Sequence, residues 1–250
     1  MKHYTPILLA IALSLLGCSP TAKKDPNEPS VSDIYVQKGV QYMENGQLDV
    51  ALQDLQRAIE LDEHNSEAHN AIAVLYERLN RPGEAEAHFK RALSLDPNNS
   101  SALNNYGRFQ CAQGQYEKAM SQFRQVIGSP LYPLPWVALT NAGLCARSAG
   151  KNKEAEEYLR RALEKNATFP PPLLEMAKLS LQSGQYLSAR AFLQRYEAVA
   201  EKNPESLWIG LQTELALGNR QAAADYGETL RSRFPDSREA VQLRKQPSRF

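Results

Sequence analysis

Beyond residue 17 the chain carries three cysteines, Cys18, Cys111 and Cys145, and three histidines, His64, His69 and His88. These are the side chains with the most reactive chemistry to offer. Imidazoles bind metals or carry protons near neutral pH. A helical zinc site places two of them four residues apart on one face. His64, His69 and His88 do not have that spacing. The chain also lacks a G-x-x-x-x-G-K-[ST] phosphate loop, a G-x-S-x-G elbow and a dinucleotide-binding glycine fingerprint. Acidic residues are plentiful but distributed as on solvated helix faces. The expectation is a protein with no catalytic centre, no metal site and no cofactor. The thiols remain to be placed.

Cys18 follows a segment with the features of a secretory signal. Lys2 supplies positive charge, and Ile7 to Leu16 form an apolar run too short to span a bilayer of ~30 Å as a stable helix. The run ends at Leu15-Leu16-Gly17-Cys18, which resembles the bacterial lipobox. That motif needs a small residue before the cut and a thiol after it. The Cys18 thiol would take a diacylglycerol and the freed amine a third acyl chain. Burial contributes roughly 0.8 kcal/mol per methylene, so several chains anchor firmly. An ordinary signal peptide with a coincidental cysteine is the alternative. Residue 19 is serine rather than aspartate. In bacteria with an outer membrane this resembles the pattern of lipoproteins sent to that membrane's inner leaflet, facing the periplasm. Residues 1–17 are therefore expected to be a signal peptide. Residues 18–31, with Pro20, Pro26 and Pro29, are expected to form a lipidated cysteine and a flexible tether.

Charge excludes one class of partner. The 29 basic and 28 acidic side chains nearly cancel, and without residues 1–17 the balance is 28 to 28. Nucleic-acid binding needs a basic face that releases counterions from phosphates, and such an excess is missing.

The rest of the chain is periodic. Gly39, Ala73, Gly107, Gly143, Ala177 and Leu211 are separated by 34, 34, 36, 34 and 34 residues. Twelve residues further on in every case stand Ala51, Ala85, Ala119, Ala155, Ala189 and Ala223. Between these columns lies a third: Gly46, Asn80, Gly114, Gly150, Gly184 and Gly218. Small residues let two helices approach closely, and glycine or asparagine tolerates the left-handed conformation that ends a helix. The spacing predicts six helical hairpins over 32–237, starting near 32, 66, 100, 136, 170 and 204. No hairpin buries its apolar face alone, so stacking must supply the core. Residues 236–250 are expected to hold a capping helix, with Asp236-Ser237 at its start, and a tail. Residues 128–135, with three prolines, account for the two extra residues between hairpins three and four. They read as a tolerated surface insertion or a small hinge or contact loop.

The pattern of small residue, glycine turn, small residue and aromatic or leucine resembles the tetratricopeptide repeat. That resemblance implies an all-α right-handed superhelix, a monomeric solenoid and a protein-binding role. It also implies that positions 2, 5, 9 and 12 of each first helix face the groove. In hairpin one these include Val36, Val40 and Met43, an apolar strip that would suit a peptide or amphipathic helix, or would pack under the tether. Further along, Asn70, Val74, Asn104 and Arg108 join the expected groove. Asn70, Asn104 and Arg108 partly match a clamp for a C-terminal carboxylate. Adjacent first helices lie side by side in this architecture, which brings Cys111 and Cys145 to neighbouring positions. In an oxidising compartment a disulfide between hairpins three and four is expected, two buried thiols being the alternative.

The lipobox, tether and six hairpins together resemble the PilF/PilW family of type IV pilus biogenesis lipoproteins. The resemblance implies a pilotin that brings the pilus secretin, PilQ, to the outer membrane and promotes its multimerisation. A lipoprotein adaptor for another periplasmic complex, such as peptidoglycan hydrolases, is the competing expectation.

Overall fold

The computed structural model describes residues 28–130 and 132–245. Cys18, the expected signal peptide and most of the expected tether lie outside them, as do the last five residues. Among the described residues there are thirteen α-helices and no strand. They pair as α1 Val31–Glu44 with α2 Leu48–Leu61, α3 Ser66–Arg78 with α4 Pro82–Leu95, and α5 Ser100–Ala112 with α6 Tyr116–Gly128. The second half pairs α7 Pro135–Ser148 with α8 Asn152–Lys165, α9 Pro170–Gln182 with α10 Tyr186–Glu197, and α11 Pro204–Ala216 with α12 Arg220–Arg233. A final helix, α13 Arg238–Lys245, follows. None of the described helices is long and apolar enough to cross a membrane.

Each hairpin closes on the residues that recur. Five of the six column alanines are fully buried and Ala223 nearly so. A Cβ added at Gly107 would lie 2.8 Å from Phe123 Cε1, and one at Gly143 2.8 Å from Leu159 Cγ. The glycine is thus the space into which the second helix inserts its large side chain. The turn column has positive φ throughout, from 56° at Asn80 to 77° at Gly218.

The first helices of hairpins two and three start on a side-chain cap that also ties neighbours together. Asn65 accepts from the Ala68 amide at 3.0 Å, while its own amide donates to Ser32 Oγ and Asp33 Oδ1 at 2.9 and 2.8 Å. One repeat later Asn99 accepts from Ala102 and donates to Ser66 Oγ and Glu67 Oε2. Capping removes orphan amides at helix starts and contributes about 1 kcal/mol each. Here the same residue also fixes the stacking register.

Helix contacts run within a hairpin or between successive hairpins. First helices touch the next first helix, whereas no pair of second helices is in substantial contact. The second-helix layer is therefore splayed, and the first helices form the concave wall. The proline-rich insertion is anchored rather than merely tolerated. Tyr132 packs on Leu103, Val126 and Ala138 at the junction of hairpins three and four, and its burial raises the phenol pKa. The closing helix α13 begins on Ser237, whose hydroxyl accepts from the Ala240 amide at 3.1 Å. It packs on α11 and α12 through Ala240 and Leu243.

Candidate protein-binding surface

The concave wall is the surface a partner would meet first, and its residues can be placed one repeat at a time. The apolar strip expected in hairpin one is not open. Val36 and Met43 are only 6% and 5% exposed, and Val40 is half-buried beside them. The reason is that α1 packs directly on α3, and the strip is part of that contact. The Met43 carbonyl accepts from Arg78 at 2.8 Å, which fastens the end of the same helix. Val74 is likewise half-buried against this cluster.

The expected clamp is also closed, by its own neighbours. The Asn105 amide donates to Asn70 Oδ1 at 3.1 Å, and the Asn141 amide to Asn104 Oδ1 at 3.0 Å. Both acceptor residues are buried. Arg108 is held bidentately by Glu77 at 2.9 and 2.7 Å. A carboxylate ligand would have to displace that pair. Further along, Glu175 sits between Arg147 and Lys178, each 2.8 Å away, and Lys178 also pairs with Glu205. A chain of polar contacts thus links α3 to α5, α5 to α7, α7 to α9 and α9 to α11.

Cys111 and Cys145 are joined by a disulfide between α5 and α7, with Cα atoms 5.7 Å apart. It lies beside Met120 and Phe123 at the centre of the array. Among the described residues no cluster of three or more His, Cys, Asp or Glu could hold a metal ion.

Two of the histidines form a pair that spacing did not reveal. His69 Nδ1 lies 2.9 Å from His88 Nδ1, and His69 Nε2 lies 3.2 Å from the Glu63 carbonyl. His88 stacks between His69 and Tyr76. One ring must donate and the other accept, so the contact requires at least one neutral imidazole. Burial lowers both pKa values, and a second positive charge beside either ring disfavours protonation further. The pair cements α3 to α4. His64 is exposed in the preceding turn.

An array of stacked helical hairpins with a first-helix concave wall and a helical cap is a tetratricopeptide-repeat solenoid. Family profiles for the tetratricopeptide repeat match residues 36–100 and 107–170, and others match 88–120 and 146–215. The type IV pilus assembly protein PilF of Pseudomonas aeruginosa is 30% identical over 238 residues, covering 93% of this chain and 94% of that protein. A crystal structure of PilW, described as a widely conserved type IV pilus biogenesis factor, superposes with a TM-score of 0.79 at 31% identity. It covers 86% of this chain and 99% of PilW. A structure of P. aeruginosa PilF gives a TM-score of 0.78 at 31% identity, covering 86% and 97%. The chain belongs to the PilF/PilW family of tetratricopeptide-repeat proteins that serve type IV pilus biogenesis.

Proposed function

We propose that this protein is an outer-membrane lipoprotein that acts as a pilotin, an assembly scaffold for the secretin of the type IV pilus. Near full-length similarity to PilF is the observation that carries the reading. Acylation at Cys18 would hold the chain on the inner leaflet. From Cys18 the tether to Ser30 reaches at most about 40 Å when extended, so the solenoid works close to the membrane. The array would bind secretin subunits by their surface and concentrate them where they insert. Its contribution is positional, so no proton transfer or bond cleavage is asked of it. The wall's internal hydrogen bonds support this reading, because a rigid array can present a partner without losing order on binding.

The test is removal of the gene. The expected outcome is loss of surface pili and secretin left as monomer away from the outer membrane. A Cys18→Ser chain should leave the outer-membrane fraction and restore pili poorly. Normal secretin rings at the outer membrane in the deletion strain would defeat the reading.

A further inference from the structure

The two ends of the array are finished differently. At the C-terminal end α13 packs on α11 and α12. At the other end α1 is in substantial contact with α2 and α3 only. In later hairpins the first helix turns one row of residues toward the hairpin before it. In α7 the third and seventh positions, Ala138 and Ala142, share clusters with Val126 and Phe123 of the preceding α6. The third position is Ala68, Ala102, Ala138, Pro172 and Ser206 in hairpins two to six, and all five are buried.

In α1 the same two positions are Ile34 and Lys38. Lys38, paired with Asp54, suits the outward face of a terminal repeat. Ile34 does not. It is larger than any of its five counterparts and 44% exposed. Val31 adds to it. This residue stands where Asn65 and Asn99 cap later hairpins, because α1 begins one residue sooner, on Ser30. Val31 is 58% exposed. Leu61, 42% exposed, closes α2 at the same end of the hairpin. The Ser32 hydroxyl donates to the Ala58 carbonyl at 2.9 Å and so sets the first turn of α1 against the last turn of α2. One corner of the array is therefore apolar where the rest of that face is polar.

The course of the chain says what lies beside this corner. Val31 directly follows the segment that leads from Cys18, and that segment reaches at most about 40 Å when extended. An acylated Cys18 keeps this corner, rather than the far end of the array, beside the bilayer. Charge narrows the lipid. Around the corner Asp33, Glu60, Asp62 and Glu63 outnumber Lys38 and Arg57. In the connecting segment Lys23 and Lys24 cancel Asp25 and Glu28. Anionic headgroups gain nothing from such a surface, whereas a zwitterionic interface is not repelled. The contact need not be strong, because a short link makes it intramolecular.

We infer that Val31, Ile34 and Leu61 form a membrane-contact surface that enters the interface of the zwitterionic bilayer holding the anchor. The inference rests on the reading of Cys18 as acylated and adds an orientation to it. The array, roughly 50 Å long at about 9 Å per hairpin, is held by one corner instead of swinging on its link.

The test places the full acylated chain, purified from membranes, in phosphatidylcholine vesicles with brominated acyl chains, which quench tryptophan at the interface. Ile34→Trp adds a reporter at the corner. Val50→Trp adds one at another exposed apolar position, about 16 Å away at the opposite end of α2. The signal of Trp136 and Trp208 is subtracted with the parent chain. The Ile34→Trp reporter is expected to be quenched at least about twofold more than the Val50→Trp reporter. Adding Val31→Ser and Leu61→Ser should lower its quenching about twofold, with an unchanged thermal melt. Replacing about a third of the lipid with phosphatidylglycerol should not strengthen it. Equal quenching of the two reporters, quenching that the serine changes leave as it was, or quenching seen only with phosphatidylglycerol overturns the inference. Quenching that falls as protein density on the vesicle rises assigns the corner to a second copy and overturns it too. The mass of the N-terminal peptide reads the anchor separately. A free Cys18 thiol fails the lipoprotein reading, and the corner is then tested on the chain coupled through that thiol to a maleimide lipid, so the two failures are distinct.

Discussion

The disulfide offers the sharpest quantitative test, because its effect follows from chain connectivity. Cys111 and Cys145 are 34 residues apart and close a loop holding the end of α5, all of α6, the insertion and most of α7. In the chain-entropy treatment, closing a loop of that length removes about 12.6 cal/mol/K from the unfolded chain, or roughly 4 kcal/mol at 25 °C. That is an upper figure, since the unfolded chain is already partly compact. The perturbation is Cys111→Ala with Cys145→Ala, which keeps the site apolar and avoids burying a new hydroxyl. Urea unfolding followed by far-ultraviolet circular dichroism should show a loss of about 2–4 kcal/mol. The slope with urea should rise, because the unlinked chain exposes more surface when unfolded. Reductant should bring the parent to the variant's midpoint and leave the variant unmoved. A midpoint within ~0.5 kcal/mol of the parent, or an equal response of parent and variant to reductant, would refute the argument.

Other perturbations follow from named contacts. Gly107→Ala forces a methyl to 2.8 Å from the fully buried Phe123 ring; overpacking outweighs the gain in helix propensity, for a net loss of about 1–2 kcal/mol in the urea midpoint. Gly83→Ala meets nothing within 4 Å on α4 and should stabilise by ~0.5 kcal/mol in the same assay. Glu175→Ala strands the half-buried Arg147 and leaves Lys178 only its pair with Glu205, costing about 2 kcal/mol, read as a fall in Tm. His69 and His88 have lowered pKa values in the fold, so below about pH 6.5 the unfolded chain binds their protons first. Their contribution is whole above that pH and is lost as pH falls through it toward the folded values. Urea midpoints at pH 7.5 and 5.0 should differ less in His69→Phe with His88→Phe than in the parent; equal pH dependence would exclude the pair as a cause.

The fold was legible because its physical requirements repeat. Close approach demands a small residue at Gly39 and its counterparts, and each turn demands a left-handed residue. Six copies of each demand appear in register. Two kinds of information were not legible. One is rotation of a helix face. Val36 and Met43 occupy groove positions by repeat arithmetic, yet α1 rests on α3 and buries them. The other is pairing between side chains in different repeats. Asn70 with Asn105 and Asn104 with Asn141 are 35 and 37 apart, separations that match no single column. Arg108 occupies a groove position by repeat arithmetic, and Glu77 on the neighbouring α3 holds it.

The same contrast says where a solenoid has room for specificity. Contacts between successive repeats are what hold a one-dimensional array together, so a residue type recurring at one position is accounted for by stacking. Asn65 and Asn99 recur and each clamps the repeat before it. At position 5 of the first helices the residues are Val36, Asn70, Asn104, Thr140, Leu174 and Trp208. The first five are buried or bonded to a neighbour. The sixth is larger than any of them, half-buried, and packs on the cluster that joins α11 to α13. At position 9 Gln212 takes the place held by Arg108 and Lys178 in earlier repeats, which are spent on ion pairs. A ligand in the middle of the wall must therefore compete first with Glu77 or Glu175 for the cations they hold.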